Sequence, residues 1–454
     1  MADTQTRLAK ARLNHSQRAP MIAEMHARPF LKLGAPSRLA FIALKPEEDG
    51  IHTPSLARQQ LIAFLDQFGV EHPKEDAVYH IAQMDQKKGG MILKWENHSE
   101  FATYTLYTYA PLPEHLGRDS FATDLHDYFT IEWLEAFPGR IVSSVSARIE
   151  QVQNRAVLEE QISGVAHSWF GSASSFAAAY VSDGDAAIAA DFDLDHRGQV
   201  RLVVLSCIEV STSRLGRVIQ RFLEVETYRA MSMLTLPAAR NVLSNIKDLN
   251  IQLSETVGRI GDEKESDKVV LDELLAISAD LSLLSTSSSS RFNAGRAYEE
   301  LVMQRIELLR EKRILDRQLF SEFMKRRYMP SMRTCRSAQY QLDDMTFRAA
   351  HASELLGTRV QVTTTDQNRQ LLAQMDQRAA QQARLQETVE GLSVVAISYY
   401  AVSLLTYLLA PFAKVIHIDK TMMAAALVVP VVAFIWLSMH RLKERLIRKA
   451  DRND

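Results

Sequence analysis

Hydrophobic and polar positions change their spacing twice along this chain. Between residues 37 and 208, apolar residues recur in short alternating runs bounded by turn formers, which is the spacing of half-buried strands. Strands are expected at 38–44, 77–84, 91–95, 101–109 and 140–149. A meander is expected at 175–181, 186–192 and 200–208, with turns at Asp183-Gly184 and 196–198. Helical spacing interrupts this pattern at 55–68 and at 120–137, the second stopped by Pro138-Gly139. Hairpin neighbours favour antiparallel pairing for much of the sheet.

Beyond Ser211 the helical period takes over, with segments expected at 214–234, 238–260, 268–284 and 294–327. A last helix starts at Thr363 or earlier. Pro237, the serine-rich tract 285–290 and Pro330 punctuate them. In 294–327 the apolar positions Val302, Ile306, Leu309, Phe320 and Phe323 partly follow three-four spacing, which Arg313 and Asp316 interrupt. This is the pattern of packed antiparallel helices or an interrupted coiled coil.

The third regime is uncharged. Residues 391–413 and 421–440 carry no Asp, Glu, Lys or Arg. About twenty residues of helix, at about 1.5 Å each, cross a hydrocarbon core about 30 Å thick, and a spanning segment must satisfy its own backbone. Two membrane helices are expected, with Pro430 kinking the second; buried helices of a soluble domain are the competing reading. Arg441, Lys443, Arg445, Arg448, Lys449 and Arg452 follow the second run, whereas the connection 414–420 holds only Lys414, Asp419 and Lys420. The positive-inside rule puts the basic tail in the cytoplasm, and two crossings put the N-terminal body there too. The first twenty residues are polar and basic, so no secretory signal is expected.

One seam runs through both the polar and the uncharged parts of the last helix. Steps of four and three from Asn368 reach Leu372, Met375, Ala379, Gln382, Gln386 and Val389. They continue through Ser393, Ala396, Tyr400, Ser403, Tyr407 and Ala410. None is charged, although Asp366, Arg369, Asp376, Arg378, Arg384, Glu387 and Glu390 occupy the other faces. A period of 3.5 keeps one face toward a common axis in a left-handed bundle. Hydroxyl-bearing residues in lipid turn to protein or water, so Asn368, Gln382, Gln386, Ser393, Tyr400, Ser403 and Tyr407 are candidates for lining an axial pathway. Close helix packing through small residues accounts for the same pattern.

Composition narrows the remaining classes. The chain has 454 residues, which exceeds one domain, and its 53 Lys+Arg against 55 Asp+Glu give a net charge of −2. That balance gives no reason to expect nucleic acid as a partner. Cys207 and Cys335 form no CxxC pair, which fits a reducing compartment and no structural zinc. No phosphate loop, HExxH or GxSxG appears, and the thirteen histidines are scattered; no enzyme activity and no metal site are expected, and no cofactor is indicated. The densest polar cluster lies in the N-terminal segment: Glu24 and His26 as an acid/base or metal pair with Arg28 as an anion clamp, or ion pairs that tie the segment down. The stretch from Lys94 and Glu96 through His98 to Glu100 reads as a hairpin turn with polar residues at its tip.

Several stretches carry a family resemblance: HARP at 26–29 with APSR at 35–38, LKWENHSEF at 93–101, RLGRVIQRFLEVETYR at 214–229, PSMRTC at 330–335, ASELLGTRV at 352–360 and QETVEGLSVVAISYY at 386–400. Together they resemble an uncharacterised bacterial family of membrane-anchored proteins, a domain of unknown function, with no established activity. The order of parts is similar to CorA-type divalent-metal transporters: cytosolic α/β domain, stalk helix, first membrane helix, short outer loop, second helix, basic tail. That resemblance implies a pentamer conducting along the first membrane helix. CorA-type chains carry Gly-Met-Asn at the outer end of that helix, where this chain has Leu408-Leu409-Ala410-Pro411-Phe412.

The expected architecture is α+β/α: an N-terminal segment 1–36, a cytosolic mixed α/β domain 37–211, a long helical stalk 212–390, transmembrane helices 391–413 and 421–440 joined by a periplasmic loop 414–420, and a basic tail 441–454. The expected function is an inner-membrane homo-oligomeric channel or transporter-like protein in contact with membrane lipid. The alternative is a membrane-tethered sensor or scaffold whose cytosolic domain binds a ligand or partner.

Overall fold

In the computed structural model, the described residues are 29–47, 52–75, 77–85, 90–109, 125–170, 176–261, 265–416 and 419–450, together with His15, Gln17, Arg18, Met21, Ile22 and Phe121. The chain divides into two compact units. Met1–Glu265 with Asp272–Ala352 form the first, and Ser266–Leu271 with Ser353–Asp454 form the second.

The described strands of the first unit form one nine-stranded sheet in the order β2-β3-β4-β1-β5-β8-β7-β6-β9. They are β1 (Ser37–Pro46), β2 (Tyr79–Asp85), β3 (Met91–Asn97), β4 (Ala102–Thr108), β5 (Gly139–Val152), β6 (Ala177–Val181), β7 (Ala186–Leu194), β8 (Val200–Cys207) and the short β9 (Lys312–Arg313). Antiparallel pairing prevails, as the hairpin spacing predicts. The exception is β5 against β8, which run parallel with Ala147 opposite Leu202. Parallel neighbours need a crossover rather than a hairpin. Here the chain between them makes helix α3 (Arg155–Trp169), β6 and β7 before returning.

Helix α1 (Pro54–Asp66) starts where Thr53 accepts a bond from the Leu56 N–H and Pro54 takes a position that needs no donor. Its residues Ala57, Leu61, Phe64 and Leu65 share one face and are fully buried. They join Ile42, Leu44, Leu93, Trp95, Tyr104 and Leu106 of the sheet, and Trp133 of the one-turn helix α2 (Ile131–Glu135), in one apolar cluster. The ring of Phe64 stands edge-on to Trp133, with centroids 5.0 Å apart. The helix expected over 120–137 is thus cut to α2 and the turn His126–Tyr128 within the described part. Thr130 restarts the chain by capping Trp133. Helix α3 closes a second cluster with Leu158 and Ile162 against Ala178, Tyr180, Ala187, Val203 and Leu205.

Four long helices follow: α4 (Thr212–Met233), α5 (Thr235–Gly258), α6 (Asp267–Leu309) and α7 (Met329–Ile416), the last entered through the helical turns Phe320–Phe323 and Met324–Tyr328. The serine tract does not break α6 in two, as its composition predicts. Ser282, Thr286 and Ser288 donate to the carbonyls four residues back, at 2.8, 2.8 and 2.7 Å, and the helix runs through. Of residues 212–352, expected as the start of a stalk, all but Ser266–Leu271 fall in the sheet-bearing unit.

In the second unit, α7 continues to Ile416 and is followed by α8 (Lys420–Ala450), with Pro430 inside it. The helices Phe320–Leu409 and Thr421–Arg441 are long and apolar enough to cross a membrane, by length and composition. Residues 361–389 are exposed on every face. Arg359 pairs with Asp267 at 3.1 Å, both in this unit.

Candidate functional site

The seven residues expected on an axis all lie on α7 within the second unit. Asn368, Gln382 and Gln386 fall where the helix is exposed all round, so burial singles out no face there. Farther along it does. Ser398 is only 4 % exposed, and Val394, Val402, Leu405 and Leu409 beside it are half-buried. On α8 the half-buried residues fall at Met423, Leu427, Val431, Ile435 and Met439, every fourth residue, with Ala424 beside the first. These stripes are the faces that pack. At about 100° per residue, Ala396, Tyr400, Ser403 and Tyr407 come round on the side of α7 opposite Ser398. Tyr400 is 67 % exposed and Tyr407 76 %, whereas Ser393 and Ser403 are half-buried. The flanks between the two sides carry Val395, Tyr399, Leu404 and Leu408. Glu24, His26 and Arg28 lie outside the described residues.

A second polar constellation sits in the first unit. Alternate residues of a strand face opposite ways, so Lys94 and Glu96 share the face of β3 that Leu93 and Trp95 avoid. Register places Lys94 opposite Thr105, Thr105 opposite Phe41, and Glu96 opposite Thr103. All four polar side chains are buried: Lys94 is 2 % exposed, and Glu96, Thr103 and Thr105 are below a tenth. The β3–β4 hairpin does form, but its tip is His98–Phe101; Lys94 and Glu96 lie inside the strand and point inward.

Helix α4 covers this face and brings polar groups of its own. Lys94 Nζ lies 3.0 Å from Glu96 Oε2 and donates to Gln220 Oε1 at 3.2 Å. Gln220 Nε2 donates to Glu224 Oε1 at 3.0 Å, and Arg305 Nε of α6 donates to Glu224 Oε2. The chain Glu96–Lys94–Gln220–Glu224–Arg305 therefore links strand to two helices with alternating charge. Leu31, Leu33, Phe41, Phe101, Ile219 and Leu223, together with His98 and Tyr228, wall the remaining space, a cavity of about 30 Å³.

Gly216 explains how the N-terminal strap closes that space. A Cβ at Gly216 would stand 1.7 Å from the Leu31 carbonyl oxygen, so the strap crosses α4 at a residue with no side chain. Leu33 N–H bonds to Thr212 O at 3.1 Å, and Tyr109 Oη–H donates to Lys32 O, holding the strap in place.

Sequence reasoning singled out Lys94 and Glu96 but missed Gln220, Glu224 and Thr227. Their signal was present: polar residues at i, i+4 and i+7 between Val218 and Tyr228, on the face of the helix that also carries Ile219 and Leu223. Among the described residues, no three His, Cys, Asp or Glu side chains gather as metal ligands.

Fold and sites together define a mixed α/β sheet protein with long helices and two apolar C-terminal helices. The chain belongs to DUF3422, a family described as protein of unknown function, which it matches over residues 13–446. Nothing matches among curated proteins or among solved structures. The likeness to CorA-type transporters rests on the order of elements alone.

Proposed function

We propose that this protein is an integral inner-membrane homo-oligomer in which 391–413 and 421–440 cross the bilayer and both termini are cytoplasmic. Copies associate around an axis lined by Asn368, Gln382, Gln386, Ser393, Tyr400, Ser403 and Tyr407, which makes it channel or transporter-like. The observation that carries this reading is the division of α7 into sides. Its packed side centres on Ser398, and the side carrying Ser393, Tyr400, Ser403 and Tyr407 lies opposite, uncovered at Tyr400 and Tyr407. Hydroxyls at bilayer depth turn to protein or water, and further copies of the chain supply either. Serine hydroxyls and amide oxygens then replace part of an ion's hydration shell, and the tyrosines form the constriction.

The first test is the mass of the purified protein in lipid discs. An oligomer is expected; a monomer removes the axis and leaves the tethered sensor or scaffold. The second places single cysteines in a background lacking Cys207 and Cys335. Cysteines at Ser393, Tyr400 and Ser403 should react with soluble thiol reagents, and those at Val394 and Leu404 should not. Equal protection of both sets sinks the pathway. Reporters fused at Met1 and Asp454 should both read cytoplasm.

A further inference from the structure

The first unit also carries an open groove of about 800 Å³, independent of the membrane reading. Small-molecule sites run from about 300 to about 1,000 Å³, so this one has room for a metabolite, whereas the space beneath α4 holds only waters. Its walls come from segments far apart in sequence: the ends of β1 and β5, the β3–β4 tip, the α4–α5 corner and the serine tract of α6.

Charge is unevenly answered there. Lys45, Arg140 and Arg291 line the groove with Glu47, Glu100 and His52. Arg140 pairs with Glu47 at 3.0 Å and Arg291 with Glu100 at 3.4 Å. Lys45 donates to the Pro46 carbonyl at 3.2 Å and meets no carboxylate among the described residues. Register sharpens the imbalance. Lys45 and Arg140 are direct cross-strand partners on antiparallel β1 and β5, so two cations stand side by side on one face. Like charges directly opposite repel, and water hydrates them without cancelling either. An anion between them does cancel.

The α6 side of the groove calls for hydroxyls. Ser287, Ser290, Arg291 and Ala294 follow helical spacing and make one face of α6 toward the groove. Ser287 donates its own proton to the Leu284 carbonyl at 3.0 Å, so its oxygen is left to accept. Ser290, and Ser99 at the hairpin tip, add two hydroxyls that turn to suit a partner. Pro46, Val142, Leu234 and Ala238 join Ala294 as the apolar remainder.

We propose that this groove binds a small, singly charged hydroxycarboxylate, its carboxylate between Lys45 and Arg140 and its hydroxyls against Ser99, Ser287 and Ser290. Lys45, Arg140 and Arg291 against Glu47 and Glu100 leave one positive charge, which one carboxylate balances. A phosphate monoester brings a second negative charge, which Glu47 and Glu100 oppose. An ammonium finds no carboxylate in the described lining that is not already paired.

The test uses the full chain in lipid discs, with binding followed by calorimetry. Gluconate and glycerate are the hydroxycarboxylate probes. Gluconamide removes the charge, hexanoate removes the hydroxyls, and glucose 6-phosphate adds a charge. Saturable binding of gluconate or glycerate at one site per chain is expected. Each comparator should bind at least about tenfold more weakly, the value of one bond to a charged group. Lys45→Gln should weaken hydroxycarboxylate binding about tenfold and leave gluconamide unchanged. Ser290→Trp, at an exposed helix position that reaches the groove without entering the core, should abolish binding of every probe and leave the melting temperature unchanged. Any comparator binding as tightly as the hydroxycarboxylates, unchanged affinity in either variant, or no saturable binding of gluconate or glycerate overturns the proposal.

Discussion

The two faces of β3 and β4 are buried by opposite means. On one, Leu93, Trp95, Tyr104 and Leu106 meet α1 and α2 in an aromatic cluster, where Tyr104 stands edge-on to Trp133 with centroids 5.0 Å apart. Burial there pushes the Tyr104 phenol far above its ordinary range. On the other, one residue along, Lys94, Glu96, Thr103 and Thr105 meet α4 through an ordered chain of charges. The first face gains stability from area removed from water. The second exchanges water for protein hydrogen bonds and ion pairs, which about breaks even.

That contrast is most sharply tested by Phe64→Ala. Phe64 is fully buried and touches Trp133, Tyr104 and Phe129 at once. A loss of about 3–5 kcal/mol is expected, read from denaturant melts followed by tryptophan fluorescence. Next comes the polar face. Lys94→Ala leaves Glu96 buried without its ammonium and should cost about 3 kcal/mol or more. The double change Lys94→Met/Glu96→Leu should recover most of that loss or exceed the parent. If the single change costs no more than an exposed pair does, about 1 kcal/mol or less, the layer is wetter than its burial implies and the contrast fails.

How far the sequence carried follows the same divide. Strand alternation and turn residues located β1 to β8 to within a few residues, because spacing of two is local information; β9 falls inside the helix expected over 294–327. The same alternation misled at β3. Read alone, MILKWEN has an apolar and a polar face, and the polar one looks solvated. What buries it is α4, more than a hundred residues later, and local periodicity cannot see across that distance. Helix α3 went unread, though Asn154 caps it by accepting from the Val157 N–H at 3.1 Å, a signal open to inspection. The serine tract was read as a break because serine competes with the backbone in general. Here its hydroxyls bond back within the helix instead. On α7 the seam was legible from charge alone. Its relation to the packed side around Ser398 was not, since that depends on which face packs.

The smallest expected effect separates the two faces by pH. His126 sits at the edge of the apolar cluster, with its ring 6.1 Å from Phe129 and Nε2 within 3.2 Å of the Val145 carbonyl oxygen. Burial is the main cause that pushes its pKa down, to about 4; the Val145 carbonyl and Asp195 pull the other way. In the unfolded chain the imidazole titrates near 6.5, so between about 6.5 and about 4 the unfolded state holds the extra proton. Stability is therefore complete above the upper value, falls as pH drops through the window, and is flat with respect to this group below it. The loss should be on the order of 2–3 kcal/mol across the window. His126→Gln, which keeps a donor for Val145 O but cannot gain a proton, should flatten the slope between pH 6.5 and 5, above the range where most carboxylates titrate. An unchanged slope in that variant would move the proton-sensitive group elsewhere and remove His126 as the weak point of the apolar face.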